Sequence, residues 1–335
     1  MKIDTAKARL VCKSHTAYGW AEGTGMYALA AVYNEFAAAD VRCLGVEADI
    51  EIPVDISGME NAVGVSCGSK GEAFKERDEF RPEKKTAGAI AHGIEKALRS
   101  ICIEHGIELL GLHITRKPIL SVPSITITGM GWRAAEDGGS QKDGQSGEET
   151  YLQRQESGRR DCEIVMTKWV GMEGMLRISG EKEDELRKRF APVFMRQIRS
   201  YEKELFAGKE MEIARAAGVT VIRQITEGGI LAGLWELAKE TGMGLDLDMK
   251  RMPVLQETIE VCEHFRLNPY QLTSAGSFLM LTEDGGRLTE AMQENQIQAS
   301  VIGKLTSGKN KVIHNGGDVR YLDRPAPDEI YKLFI

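Results

Sequence analysis

Apolar residues recur at helix or strand spacing along most of the chain, in segments that glycine, proline or polar residues separate. In the first half this pattern predicts a helix over 25–39, rich in alanine, and a strand over 42–53 that stops at Pro53. A second helix is expected over 89–106, with Gly106 as its terminating glycine. Two strands are expected to follow, over 107–115 and 123–131.

The second half shows the same mixture of periods. A buried strand is expected within 162–171, and a charged helix within 181–194, where Glu183 and Arg187 are four residues apart and mark a solvated face. The remaining expected segments are a helix over 210–218, a strand over 219–225, a helix over 230–240, and further elements at 252–265, 277–284, 299–306 and 311–322. Helices and strands alternate or cluster in both halves, so the predicted class is α/β or α+β.

One stretch, residues 135–160, consists almost entirely of Gly, Ser, Gln and charged residues, with little that could enter a core. We therefore predict two domains, 1–132 and 161–335, joined by a polar linker over 133–160. A second polar stretch at 67–88 is interpreted as an exposed insertion in the first domain.

The chain has 335 residues, a formal net charge of −7, 42% hydrophobic and 28% charged residues. This balance is typical of a globular protein and gives no sign of a nucleic-acid-binding or membrane-binding surface. The six cysteines are scattered singly, which argues against a zinc site or a disulfide framework. No secretory signal or membrane-spanning run is recognised, so a cytoplasmic location is expected.

The segment "VIRQITEGGILAGLWELAKE" combines a strand, a Gly-Gly pair and an apolar helix. Thr226 is expected to cap this helix, and the amides of Gly228 and Gly229 could receive an anion at its positive end. The alternative is that the glycines only allow close packing of strand and helix. The pattern alone favours the packing interpretation.

The sequence around this segment supports a functional interpretation as well. The segments "EIVMTKWVGMEG", "VTVIRQITEGGILAGLWELAKETGMGLDLD" and "PVLQETIEVCEHFRLNPYQLTSAGSFLMLTEDG" closely resemble AIR (aminoimidazole ribonucleotide) synthase-related proteins. The resemblance continues more weakly over about 10–132. It implies a two-domain AIR-synthase-like fold: an N-terminal dimerisation and ATP-type domain followed by a C-terminal α/β domain.

The resemblance also implies chemistry. Family members include a hydrogenase maturation factor and thiamine-monophosphate kinase, and they bind ATP and Mg²⁺ in a cleft at the dimer interface. The acceptor, a small molecule or a protein thiol, would be activated by phosphoryl transfer or dehydration. The positions carried over as nucleotide contacts are Asn34, Glu35, Gly111, His113, Thr226, Glu227, Gly228 and Gly229, with Glu35 and Glu227 as metal ligands.

Several positions depart from the family pattern. The Gly-Asp-Asp-Ala run that supplies magnesium ligands is missing, and His15 stands where an acidic residue is expected. Gln224 replaces an aspartate before the Gly-Gly turn, and the chain ends "DEIYKLFI" without the maturation factor's reactive cysteine. Because magnesium prefers oxygen ligands, these changes weaken the expected metal site.

Two functions from different classes therefore stay open. One is an ATP-dependent enzyme of the AIR-synthase-related group. The other is a non-catalytic paralogue, a dimeric ligand-binding or partner-binding module, or a member whose natural start lies upstream of Met1. His113 also has two interpretations, since it is either part of the cleft or an ordinary hydrogen-bonded histidine.

Overall fold

The computed structural model describes residues 8–54, 87–134, 162–219 and 221–334. The strands in these ranges are β1 Ala8–Tyr18, β2 Arg42–Pro53, β3 Leu109–Lys117, β4 Ser124–Ala134, β5 Glu163–Thr167, β6 Val221–Gln224, β7 Gly244–Asp248, β8 Phe278–Thr282, β9 Ala299–Thr306, β10 Lys311–Asn315 and β11 Asp318–Tyr321. The α-helices are α1 Thr24–Ala38, α2 Ala87–Glu104, α3 Met172–Glu181, α4 Glu183–Arg189, α5 Pro192–Ser200, α6 Gly208–Ala216, α7 Gly229–Thr241, α8 Gln256–Phe265 and α9 Gly285–Glu294.

The first half forms a four-stranded sheet in the order β1-β4-β2-β3. β4 runs antiparallel to β1 and β2, whereas β2 and β3 are parallel. Alternate residues bury one face of the sheet: Ala17, Ala48, Ile50, Ile125 and Ile127 all lie on the side that α1 covers. The other face carries polar and exposed apolar residues.

The second half forms a seven-stranded sheet in the order β11-β10-β7-β9-β5-β8-β6. β5 lies near its centre, between β9 and β8, and is antiparallel to both. Its residues Ile164, Val165 and Met166 are fully buried, as expected for a strand covered on both faces.

The two halves share a hydrophobic core. α1 contacts β1 and β4 on one side and β6 and α6 of the second half on the other. One continuous cluster of buried side chains joins Ile50 and Ile127 of the first sheet to Met175, Ile178 and Leu205 of the second half. Residues from both halves therefore meet around α1 and α3, and the candidate site lies at this junction.

Most expected elements are present. The helix expected over 25–39 is α1, the strand over 42–53 is β2, and Gly106 has the positive φ of 63° typical of a terminating glycine. The charged helix expected within 181–194 is α4, where Glu183 and Arg187 form the expected ion pair, but it is shorter than that range: α3 ends at Glu181, α4 ends at Arg189, and Pro192 opens α5. Proline cannot donate to the preceding turn, so it begins a helix rather than continuing one.

The two-domain division stays a prediction. Most of the expected linker, 133–160, and most of the expected insertion, 67–88, lie outside the described residues; Arg133 and Ala134 belong to β4, and Ala87 and Gly88 to α2. The five cysteines in the described part of the chain are not joined to one another by disulfides. None of the helices in these ranges combines the length and apolar character that crossing a membrane requires.

Candidate functional site

The corner between β6 and α7, residues 226–229, requires glycine at two consecutive positions. Gly228 and Gly229 have φ values of 79° and 66°, in the left-handed region that side chains disfavour. A Cβ atom on Gly229 would lie 2.6 Å from the carbonyl oxygen of Tyr270, and one on Gly228 would lie 2.7 Å from the Cβ of Ala232. The glycines therefore serve the tight turn and the close approach of neighbouring chain.

The amide groups of this corner are already engaged. The N–H of Gly228 donates to Asp328 Oδ2 at 2.7 Å, and the N–H of Gly229 donates to the carbonyl oxygen of Thr226 at 3.1 Å. The expectation that these amides stand open to an external anion is wrong in this structure, because the carboxylate of Asp328 occupies the positive end of α7. Burial raises the pKa of Asp328 to about 6.

The expected role of Thr226 also changes. Gly228, not Thr226, is the N-terminal cap residue of α7, and the side chain that accepts a hydrogen bond at this helix end is that of Asp328. Sequence analysis could not have found Asp328 as the substitute, since it lies a hundred residues further along the chain.

Glu227 is the exposed member of the corner. The hydroxyl of Tyr331 donates to Glu227 Oε1 at 2.9 Å. The ring of Tyr331 meets that of Tyr18, at the end of β1, edge to face with a centroid separation of 6.2 Å. Burial, together with the hydrogen bond to Glu227, raises the pKa of Tyr331. The corner is therefore tied to the first half of the chain through this tyrosine pair.

Glu35 approaches the same region from α1. Its carboxylate forms an ion pair with Lys13 of β1 at 3.2 Å, and the side chain remains 39% exposed. His15 follows on the same face of β1, since side chains two residues apart on a strand share a face. Glu35 thus lies beside the position where the family pattern has an acidic residue and this chain has histidine.

His15 lies within the electrostatic reach of charged residues from α1, α3 and the corner. Burial lowers the pKa of His15 and the charge of Arg177 adds to this, whereas the charges of Glu173, Glu227 and Glu35 oppose it. The imidazole is consequently neutral near pH 7.

Asn34 points away from this cluster into the junction. Its side-chain amide donates to the carbonyl oxygen of Leu205 at 2.7 Å and to Gln224 Oε1 at 3.0 Å, and its Oδ1 accepts the N–H of Ala207 at 2.8 Å. Both amide hydrogens are used and the residue is fully buried. The expected nucleotide contact is therefore not available, and Asn34 joins the two halves instead.

Gln224 explains one of the departures from the family pattern. Its Nε2 donates to the carbonyl oxygen of Ala31 at 3.0 Å, while its Oε1 accepts from Asn34 and from the N–H of Gly276 at 3.3 Å. An aspartate could not donate the first of these bonds. The glutamine is thus matched to a neutral buried network rather than to a metal.

Gly111 and His113 lie elsewhere. They are on β3, at the opposite edge of the sheet from β1, and His113 Nε2 lies 3.1 Å from Glu47 Oε1 on the face opposite α1. Their Cα partners in β2 are Glu47 and Asp49. Within one protomer the structure therefore does not bring these two residues together with Glu35 and Glu227.

Sequence analysis missed three charged residues of α3. Glu173 accepts the hydroxyl of Thr273 at 2.6 Å and the N–H of Ala275 at 2.9 Å. Arg177 donates to the carbonyl oxygen of Tyr18 at 3.1 Å, and Glu181 accepts the N–H groups of Trp20 and Ala21 at 3.0 and 2.8 Å.

These residues are four apart and so share one face of α3. This four-residue spacing is the feature of the sequence from which a shared charged face could have been predicted. Burial raises the pKa of Glu181, although both backbone hydrogen bonds oppose the shift. The face holds the end of β1 and the loop before α1 against the second half.

The described residues contain no group of three or more His, Cys, Asp or Glu side chains arranged to hold a metal ion. A magnesium ion held by the protein alone therefore does not fit. Magnesium that arrives with a nucleotide needs only one or two carboxylates, because phosphate and water supply its other ligands. Glu35 and Glu227 are compatible with that more modest role.

Comparison with known proteins shows which protein family and which solved structures the chain resembles. Residues 159–315 match the family model described as AIR synthase related protein, C-terminal domain. The carbamoyl dehydratase HypE of Cupriavidus necator is 30% identical over 124 residues, which make up 36% of this chain and 35% of that protein. The chain thus matches about a third of the length of this relative.

Similarity in structure extends further than similarity in sequence. The crystal structure of E. coli HypE, a hydrogenase maturation protein, aligns over 99% of this chain and 92% of its own, with a TM-score of 0.63 and 14% identity. HypE in complex with ATP aligns over 96% of this chain and 87% of its own, with a TM-score of 0.62 and 14% identity. Both halves therefore have the fold that the resemblance implied.

Proposed function

The chain is an AIR synthase-related protein, and on that premise we propose that it binds ATP with magnesium at the junction of its halves. The bound nucleotide serves to activate an acceptor by phosphoryl transfer or dehydration, as in a hydrogenase-maturation-type protein. The proposal rests on the fold shared with HypE in complex with ATP, and on a junction where Tyr331 hydrogen-bonds Glu227 of the second half and packs against Tyr18 of the first.

The residues of the junction have distinct parts in this proposal. Glu35 and Glu227 each offer one carboxylate to a magnesium ion that enters with the phosphates. Lys13 is the exposed cation of this region and pairs with Glu35, whereas Arg177 is buried and paired with Glu173. Magnesium–ATP, when bound, supplies a phosphoryl group, and Lys13 is the side chain we propose to stabilise its developing charge.

The proposal includes a homodimer through the first domain. No element of the described residues covers the face of the four-stranded sheet opposite α1, and the strands of this sheet carry Leu10, Leu44 and Leu110, exposed by 70%, 38% and 49%. Apolar side chains grouped on one face are typical of an interaction surface. His113 and Gly111 lie on β3 of the same sheet, so a second protomer is the means by which they would join a nucleotide site.

The proposed acceptor belongs to one of two chemical classes, a small molecule or a protein thiol. One structural neighbour is the HypE–HypF complex, aligned with a TM-score of 0.59 at 16% identity, so that neighbour assembles with a protein partner. By analogy we propose that this chain also hands its activated group to, or receives it from, another protein. A cytoplasmic location remains part of the proposal.

Isothermal titration calorimetry of the purified protein with ATP, with and without magnesium, tests the proposal. We expect magnesium-dependent binding with a Kd between roughly 1 µM and 1 mM, about −8 to −4 kcal/mol. The variants Glu35→Gln and Glu227→Gln remove one carboxylate charge each and should weaken binding only when magnesium is present.

Glu290→Gln, on the exposed face of α9, is the matched control and should bind as the wild type does. Absence of binding heat and of a thermal shift at saturating nucleotide would contradict the proposal. It would favour the alternative of a non-catalytic dimeric module.

A further inference from the structure

The residues that follow β11 return to the junction and are fixed there from both sides. Asp328 accepts the N–H of Gly228 at 2.7 Å and that of Ile330 at 2.9 Å. Glu329 accepts the N–H of Asn268 at 3.2 Å. Ile330 and Leu333 are buried in the cluster that contains the core of the first half. This segment, residues 328–333, is thus held by the second half through hydrogen bonds and by the shared core through its apolar side chains.

Tyr331 is the residue of this segment that faces the candidate site. Its ring packs edge-on against Tyr18, and its hydroxyl donates to Glu227 at 2.9 Å. A side chain fixed at its backbone and along its ring can hold a hydrogen-bond partner in one orientation at little entropic cost. Glu227 itself is exposed and would otherwise sample several rotamers.

We propose that Tyr331 is a positioning residue for nucleotide binding: its hydroxyl holds the carboxylate of Glu227 in the orientation that meets the magnesium of a bound nucleotide. The inference rests on the proposed function. It assigns the segment 328–333 a role in nucleotide binding, because Tyr331 of this segment orients Glu227. Tyr331 touches neither metal nor nucleotide in this arrangement. It acts through Glu227 alone, so removing its hydroxyl should matter only while Glu227 has its carboxylate.

A double-mutant cycle with Tyr331→Phe and Glu227→Gln tests this dependence, with the Kd of magnesium–ATP measured by calorimetry. The phenylalanine retains the ring that packs on Tyr18 and removes only the hydroxyl. In the wild-type background we expect magnesium–ATP binding to weaken about three- to tenfold, the range that one hydrogen bond of ordinary strength represents. In the Glu227→Gln background the same change should have no further effect, and binding of ATP without magnesium should be unaltered.

Tyr321→Phe, on the exposed strand β11, is the matched control, and thermal midpoints of all variants report whether the fold is kept. Equal weakening by Tyr331→Phe with and without Glu227, or no weakening at all, would overturn the inference while leaving the proposed function intact. Failure of the wild-type protein to bind magnesium–ATP would overturn both. A lowered thermal midpoint accompanied by weakening in the absence of magnesium would show a structural role and would also overturn it.

Discussion

The side-chain amide of Asn34 donates a 3.0 Å hydrogen bond to the side-chain oxygen of Gln224, across the junction between the two halves of the chain. Every polar atom of this pair is satisfied by the protein: by the backbone at Leu205 and Ala207 for Asn34, and at Ala31 and Gly276 for Gln224. Such a buried neutral network fixes how two packed surfaces meet, because any other arrangement leaves a polar group unpaired.

We therefore expect Asn34→Ala to destabilise the protein strongly. The substitution leaves a carbonyl oxygen, an amide N–H and part of Gln224 buried without partners, at a cost of about 2–4 kcal/mol in the free energy of unfolding. Urea denaturation measures this loss. Gln293→Ala, at an exposed position on α9, should change the free energy of unfolding by less than about 0.5 kcal/mol. A similar small effect at Asn34 would contradict the proposed role of the network.

The Gly-Gly corner makes a second prediction. Gly229→Ala must place a Cβ atom 2.6 Å from a carbonyl oxygen in addition to adopting a positive φ. We expect a loss of more than about 3 kcal/mol in the free energy of unfolding. Gly218→Ala is the matched comparison, since its φ is 73° but no described atom lies within 4 Å of its Cβ position. That variant should lose only about 1–2 kcal/mol, the cost of the left-handed conformation itself.

Asp328 links stability to pH. Its pKa is raised from 3.8 to about 6 by burial, so the folded state favours the protonated form. Its contribution to stability is therefore fully present below about pH 4 and is lost as the pH rises through about 6. Relative to Asp328→Asn, whose side chain does not titrate, the wild type should gain on the order of 2–3 kcal/mol between pH 7 and pH 4. Urea denaturation of both proteins across this range measures the difference; a constant difference would show that Asp328 does not titrate as proposed.

His15 should make the protein less stable, rather than more stable, as the pH falls. Its pKa is lowered from 6.5, chiefly by burial, so the folded state favours the neutral imidazole. Its contribution to stability is present above pH 6.5 and is lost as the pH falls through the lowered pKa. Compared with His15→Gln, the wild type should therefore lose stability as the solution is acidified from about pH 7.5 to about pH 5. The comparison uses the same denaturation experiment, and a gain on acidification would contradict the assignment.

The sheet face opposite α1, which no described element covers, predicts a dimer. We expect the protein to sediment at twice the chain mass, and Leu10→Glu to shift it toward the monomer because a charge would then be buried against the second protomer. Ile103→Glu is the control: Ile103 is 81% exposed on α2, on the covered side of the sheet, so its replacement should leave the dimer intact. Sedimentation velocity distinguishes the two variants. Equal behaviour of both would remove this face from the interface.

The sequence predicts most of the fold because its elements have clear local signatures. The pattern of β2, with alternating Ala48, Ile50 and Ile52, is readable without knowledge of the rest of the chain. The five-residue strand β7 is missed, since so short a run between a helix and a 3₁₀ turn has little periodicity to detect. The two-domain division, predicted from the polar stretch 135–160 and from the family resemblance, stays a prediction because most of that stretch lies outside the described residues.

The site was less accessible to sequence analysis, and for a physical reason. Local pattern places Asn34 and Glu35 side by side on one helix, yet one turns into the junction and the other toward Lys13. Similarly, the corner at Gly228 is visible in the sequence, whereas the carboxylate that fills it, Asp328, is brought there only by the fold. Contacts between residues far apart in the chain have no local signature, so they require the three-dimensional structure.

The central position of β5 has a consequence for how the protein reaches its native state. This strand is made early in the second half, but its neighbours β8 and β9 lie more than a hundred residues further along, with Glu163 opposite Thr282 and Lys304. The apolar residues Ile164, Val165 and Met166 therefore remain unpaired while the intervening helices are synthesised. Long-range strand pairing of this kind slows folding and leaves an aggregation-prone apolar segment exposed until its partners are present. We expect newly made chains to depend on chaperones, and refolding yields in vitro to fall steeply as protein concentration rises.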